Sequence, residues 1–115
     1  MIGDTIAAIA TPRGQGGIGV IRLSGECSLP ILEKIFRPKG KTGKKRQPRE
    51  LTLGWICNGS GVILDEALTV YMPAPHSYTR EDVVEIQCHG GSKVLEEILQ
   101  LVLNCGARMA LPGEF

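Results

Sequence analysis

The sequence predicts an α+β fold, built on a mixed, mainly antiparallel sheet with two main helices. Three observations lead there. Apolar residues alternate with period two in several short stretches and recur at helical spacing in two others. A turn signal, Asn58-Gly59-Ser60-Gly61, separates two strand-like runs and marks a hairpin. The order of elements (strand, strand, helix, hairpin, strand, helix, strand) also lacks the regular strand–helix alternation of a parallel sheet. The chain's 115 residues suffice for one domain, residues 1–115, and not for two.

Asp4 to Ala10 reads as the first strand and Thr11 to Gly17 as a loop. Ile18 to Leu23 is the next strand, with Ile18, Val20 and Arg22 on one face and Gly19, Ile21 and Leu23 on the other. Ser28 is the expected N-cap of a first helix, with Pro30 in its first turn. Ile31, Leu32, Ile35 and Phe36 form its apolar stripe, and Pro38 stops it near Arg37. Residues 37–49 then carry 7 of the 13 Lys and Arg residues and no acid, the composition of a solvated, mobile loop or of one that meets RNA phosphates.

Leu51 to Cys57 and Ala67 to Met72 alternate as the strands of a hairpin. Asp65-Glu66 is expected to be a bulge or bend with its acids in water. Pro73 and Pro75 keep the following loop extended. Thr79 to Asp82 reads as a single helical turn capped by Thr79. In the strand Val83 to Cys88, Val84, Ile86 and Cys88 face one way and Val83, Glu85 and Gln87 the other. Gly90-Gly91 forms the exit, and Gly91 or Ser92 caps the second helix. Its stripe is Val94, Leu95, Ile98, Leu101, Val102 and Cys105, and Gly106 ends it. Arg108 to Leu111 is a short last strand.

Composition narrows the function. Hydrophobic residues are 43%, charged residues 22% and net charge is +1, so no global field points to nucleic acid or membrane. No apolar run approaches the roughly 20 residues of a membrane helix, and no signal peptide opens the chain, so a cytoplasmic location is expected. Cys27, Cys57, Cys88 and Cys105 lack C-x-x-C spacing and read as reduced, mostly buried thiols. Cys88, His89 and His76 have no recognisable zinc spacing. Gly14 to Gly19 matches G-x-G-x-x-G, but a strand follows where a dinucleotide site needs a helix. Gly40-Lys41-Thr42 resembles the end of a P-loop, yet Ile35 stands where its first glycine belongs. No catalytic residues are assigned.

Two ions stand out on apolar strands. Arg22 is either a rim arginine with its head in water or a rigidly held guanidinium aimed at an anion or a polar ligand edge. Glu85 sits mid-strand in V-V-E-I-Q-C. On the residues alone, a structural role for both is favoured, as ion-pair residues that include each other among their candidate partners.

Four segments carry a resemblance: D-T-I-A-A-I-A-T-P-R-G-Q-G-G-I-G-V-I-R-L-S-G, then L-D-E-A-L, then M-P-A-P-H-S-Y-T-R-E-D-V-V-E-I-Q-C-H-G-G, then A-R-M-A-L-P-G-E-F. Their content and order resemble the N-terminal domain of the tRNA modification GTPase MnmE (TrmE) family over the whole chain except the basic loop and its flanks. The resemblance implies a fold like the folate-binding aminomethyltransferase domains of glycine cleavage. It implies binding of a tetrahydrofolate of the 5-formyltetrahydrofolate class, and homodimerisation with the folate pocket near the dimer interface. It implies a parent GTPase that modifies the wobble uridine of tRNA together with the flavoprotein MnmG (GidA). Arg22 and Glu85 fall on the family's folate-contacting positions. Glu85 would accept two hydrogen bonds from the pterin edge, and Arg22 would meet a carbonyl, a formyl oxygen or the folate tail. The family continues past P-G-E-F into a helical domain and a GTPase domain, which would hold GTP, Mg and K. A further basic folate contact lies just beyond. The chain therefore reads as a piece of a longer protein, with no GTP hydrolysis of its own. The alternative is a pure dimerisation and tRNA-contact module that binds no folate.

Overall fold

The computed structural model of the chain describes residues 4–10, 18–40, 47–75, 77, 79–89 and 91–115. The described elements are β1 (Ile6–Ile9), β2 (Gly19–Ser24), α1 (Ser28–Ile35), β3 (Phe36–Pro38), β4 (Thr52–Cys57), β5 (Ile63–Met72), β6 (Val83–Cys88), α2 (Ser92–Asn104) and β7 (Arg108–Met109). The strands form one sheet in the order β3-β4-β5-β6-β2-β1-β7. Every pairing is antiparallel except β1 with β7, which is parallel. This is the mixed, mainly antiparallel α+β sheet that the sequence predicts.

The alternation in the strands decides which face the helices cover. Ile21 and Leu23 of β2, Val84, Ile86 and Cys88 of β6, Ala67 of β5 and Ile56 of β4 are almost wholly buried in one cluster. Ile31, Leu32 and Ile35 of α1 and Leu95, Ile98, Leu99 and Val102 of α2 complete it. Leu99 belongs to the α2 stripe although the period chosen from sequence passes over it. Gly19 lets α2 lie close: a Cβ there would fall 2.5 Å from the Leu95 side chain. Both helices pack on this face. The opposite alternation set, including Val20, Arg22, Glu85, Gln87, Leu68 and Val70, is only partly buried.

Several expectations need correction. Helix α1 has Cys27 as N-cap, with no side-chain cap. Ser28 lies inside the first turn and donates its hydroxyl to the Asp82 carbonyl at 3.2 Å. The helix stops at Ile35, because Phe36 is extended (φ −116, ψ 132). Phe36, Arg37 and Pro38 then pair with Ile56, Trp55 and Gly54 as an edge strand, and the Lys39 N–H donates to Leu53 O at 2.9 Å. An edge tolerates Pro38, whose missing N–H costs no ladder bond on the outer side. The loop expected over 37–49 thus begins as sheet, while residues 41–46 lie outside the described residues.

Asp65-Glu66 is no bend with its acids in water. Strand β5 runs straight through both residues, and the register irregularity falls beside them: Ile56 pairs with Asp65 and Cys57 with Ile63, leaving Leu64 extra. Glu66 pairs with Lys39, whose Nζ also lies 4.0 Å from the Trp55 ring centre. Asp65 is only 15% exposed and bonds to His89. Thr79 to Asp82 forms no helical turn either. Arg80 sits at φ 68, in the left-handed region, so the chain bends sharply there. At the far end α2 is capped by Gly91 without a side-chain bond, and Gly106 takes φ 117 after it.

The C-terminal turn is held by one cation. Arg108 contacts both carboxylate oxygens of Glu114 at 3.1 and 2.6 Å and Asp4 at 3.3 Å. The Leu111 N–H also donates to Glu114 at 2.7 Å. The Arg108 hydrogen bond, then the Leu111 N–H, hold the Glu114 carboxyl below the usual glutamate range.

Two outcomes follow from this packing. A Cβ on Gly54 would lie 2.4 Å from the backbone oxygen of Arg37, so Gly54→Ala must push β3 off β4. Urea unfolding should show a loss of about 2 kcal/mol. Because the Glu114 pKa is depressed, its contribution is present above the ordinary glutamate range and disappears as pH falls through the lowered value. An NMR titration should therefore show the Leu111 amide shifting at a lower pH than the carboxyl of an unstructured glutamate.

Candidate functional site

The two ions singled out on apolar strands are brought together. Strands β2 and β6 lie side by side at the centre of the sheet, and in their antiparallel register Arg22 stands directly opposite Glu85. Arg22 Nε donates to Glu85 Oε2 at 2.8 Å, and its terminal nitrogen Nη2 lies 2.7 Å from the same oxygen. Both contacts fall on Oε2. Oε1 accepts no hydrogen bond from a described residue. The side chains are 24% and 19% exposed, so the pair is half-sunk in the sheet face that the helices leave uncovered.

The sequence pattern makes this arrangement rigid. Ile21 and Leu23 on one strand and Val84 and Ile86 on the other anchor the backbone from the helix side. The two charges are thereby fixed on the other face with the strand period. Across β5, Val70 stands opposite Glu85 and Leu68 opposite Gln87. On β2, Val20 stands opposite Gln87. Val20, Val70 and Leu68 thus make an apolar floor beside one ion pair and one amide. Such a surface suits a flat ligand that presents hydrogen-bond donors at one edge.

One end of the floor is closed. The alternation puts Ser24 and Val83 next along this face, and both are fully buried. The Ser24 hydroxyl meets the Thr79 hydroxyl at 2.6 Å and Glu81 Oε1 at 3.2 Å, and the Gly25 N–H donates to the Asp82 carbonyl at 2.8 Å. Thr79, Glu81 and Asp82 are therefore tied down beside the ion pair. The reading from sequence assigned no role to Ser24. A hydroxyl at the end of an apolar strand was the available signal, but its partners lie 55 and 57 residues away.

Cys88 and His89 sit apart from this arrangement. The His89 backbone N–H donates to Asp65 Oδ2 at 2.8 Å, and ring Nδ1 donates to the Glu66 carbonyl at 3.0 Å. These contacts tie the end of β6 to β5. The Cys88 thiol lies in the core, and burial first, then Asp65, pushes it up to about 12. His76 lies outside the described residues. Among the described residues no group of three or more His, Cys, Asp or Glu is arranged to hold a metal ion. No helix among them is long and apolar enough to cross a membrane.

Residues 5–115 match the family model described as the N-terminus of the GTP-binding protein TrmE. The chain belongs to this TrmE N-terminal family. Its relatives include the tRNA modification GTPase MnmE of Moorella thermoacetica, 55% identical over 100% of this chain and 25% of that protein. The protein of the same name from Symbiobacterium thermophilum is 50% identical over 97% of this chain and 25% of its own length. That from Chloroflexus aurantiacus is 54% identical over 97% of this chain and 24% of its own. The chain thus spans about a quarter of the length of these curated relatives.

The thiols of this TrmE N-terminal domain should differ sharply in reactivity. Cys27 is exposed, whereas Cys57 and Cys88 are buried. A thiol raised as far as Cys88 is almost wholly protonated at pH 8, and the thiolate is the nucleophile. Alkylation at pH 8 followed by peptide mass mapping should label Cys27 within minutes and Cys88 only after denaturation.

Proposed function

We propose that this chain is the tetrahydrofolate-binding and homodimerisation module of a GTPase that modifies the wobble uridine of tRNA. GTP hydrolysis, and contact with tRNA and the flavoprotein MnmG, belong on this reading to a longer protein. The observation that carries the ligand assignment is the Glu85 carboxylate. It is half-buried on a central strand, its Oε2 engaged by Arg22 and its Oε1 without a donor among the described residues. An acceptor pair fixed in this way complements two parallel N–H donors, which is what the amidine-like edge of a pterin offers. Glu85 would read that edge. Arg22 would hold the carboxylate plane and meet a carbonyl, a formyl oxygen or the tail. The folate, when bound, supplies a one-carbon unit. The residues of this chain bind and orient it on the apolar floor of Val20, Val70 and Leu68.

The test is a titration of the 115-residue chain with 5-formyltetrahydrofolate while its mass in solution is followed. Saturable binding by a dimer is the expected result. A dimer that ignores folate would instead favour an interaction module. Glu85→Gln keeps the shape and removes the charge. A charge-assisted hydrogen bond contributes about 1.5–3 kcal/mol, so its affinity should fall at least about tenfold in calorimetry. Unchanged affinity would remove Glu85 from the site.

A further inference from the structure

The ring of polar contacts at the closed end of the floor has a determinate direction. Ser24 has one hydroxyl proton, and its bond to Glu81 Oε1 can be made only by donating it, because a carboxylate oxygen accepts. The 2.6 Å contact between the Ser24 and Thr79 hydroxyls must then run from Thr79 to Ser24. The Glu81 N–H closes the ring on Thr79 Oγ1 at 3.4 Å. Each hydroxyl thus donates once and accepts once. Ser24 is the only member of the ring that belongs to the sheet. Its side chain is fully buried, and it lies two residues along β2 from Arg22, next to the Arg22–Glu85 row.

What this ring holds is a turn that its own backbone does not favour. Arg80, between Thr79 and Glu81, sits at φ 68, which costs a side-chain-bearing residue on the order of 1 kcal/mol. A conformation of that kind persists where surrounding contacts over-determine it. Around Arg80 those contacts among the described residues are the Ser24–Thr79–Glu81 ring, the hydroxyl of Ser77 on the Glu81 carbonyl, and the Arg80 N–H to Ser77 O at 3.3 Å. Asp82 is held separately, by the Ala74 N–H at 2.8 Å and by the Gly25 and Ser28 contacts to its carbonyl. Among the described residues, the turn at 79–81 therefore depends on Ser24 for its side-chain attachment to the sheet, and residue 82 does not.

We infer that Ser24 is a positioning residue. Through its paired hydrogen bonds to Thr79 and Glu81 it docks the strained turn as the end wall of the site on the open sheet face, so that a flat ligand bound at Glu85 meets a preformed boundary. This rests on the folate reading for the identity of the ligand, but not for the docking itself.

Two readouts separate the parts. In the unliganded chain, hydrogen exchange followed by mass spectrometry should show residues 79–81 exchanging at least about tenfold faster in Ser24→Ala, since two hydrogen bonds are lost. The β2 and β6 segments and the thermal midpoint should change little, because a methyl fits the apolar strand. Ser24→Thr, which restores the hydroxyl, should recover the protection. In a folate titration, Ser24→Ala should weaken binding about fivefold to tenfold, by the loss of preorganisation, and Ser24→Thr should bind as the parent does. Unchanged exchange in Ser24→Ala overturns the docking. Faster exchange with unchanged folate affinity overturns the wall. If the parent chain binds no folate, the proposed ligand fails and the wall with it, while the exchange result still decides the docking.

Discussion

The pairing of β2 with β6 is the constraint on which the rest of the structure depends. It joins two segments far apart in the chain through six consecutive residue pairs, from Gly19 with Cys88 to Ser24 with Val83. Every side chain on the helix face of these two strands is a core residue. A slip of one residue would turn either Ile21 and Leu23 out of the core and bring Arg22 beneath α1 and α2, or Val84 and Ile86 out and bring Glu85 there. Burial of an unpaired charge costs several kcal/mol, and loss of a large apolar side chain from the core costs about 2–5 kcal/mol. The register that makes the core is therefore the register that places the two charges opposite each other. Site and core are two consequences of one alternation.

The chain path explains why only one sheet face carries this chemistry. After β2 it enters α1, and α1 delivers it to β3 at one edge of the sheet. Strands β4, β5 and β6 then return step by step to β2, and α2 carries the chain on to β7 at the opposite edge. Both helical connections lie on the same face, so the whole core gathers there. Among the described residues, no helix covers the other face. Thr79 and Glu81 come over at the Ser24 end. At β3 and β4, Lys39 lies against Trp55 and Glu66.

Legibility in the sequence followed the range of the interactions. Helix α2 and the core faces of β2 and β6 could be read because burial imposes a period on adjacent residues. The two ions could be singled out because each interrupts such a period. What escaped was set by partners far along the chain. Phe36 to Pro38 looks like the end of a helix and the start of a basic loop, and only β4 makes it a strand. Asp65 and Glu66 look like solvent-facing turn residues until His89 and Lys39 meet them. Thr79 to Asp82 has the composition of a capped helical turn, but the Thr79 hydroxyl and the Glu81 carboxylate are both drawn to Ser24, and Arg80 between them leaves the helical region at φ 68. In each case a local propensity lost to a contact that no window of sequence contains.

The ion pair also bears on which part of a ligand Glu85 can take. A ligand anion that drew the guanidinium away from Glu85 would leave a half-buried carboxylate without its cation. That loss offsets much of what the new contact contributes. A neutral edge with two N–H donors meets no such opposition. It can use Oε1, which takes no donor from the described residues, and a remaining lone pair of Oε2 while Arg22 stays in place, and each hydrogen bond it forms is to a charged acceptor. On the proposed folate reading, this favours the pterin edge over the tail carboxylates at Glu85. It also leaves Arg22 in a supporting role, with its charge compensated by the residue that it orients.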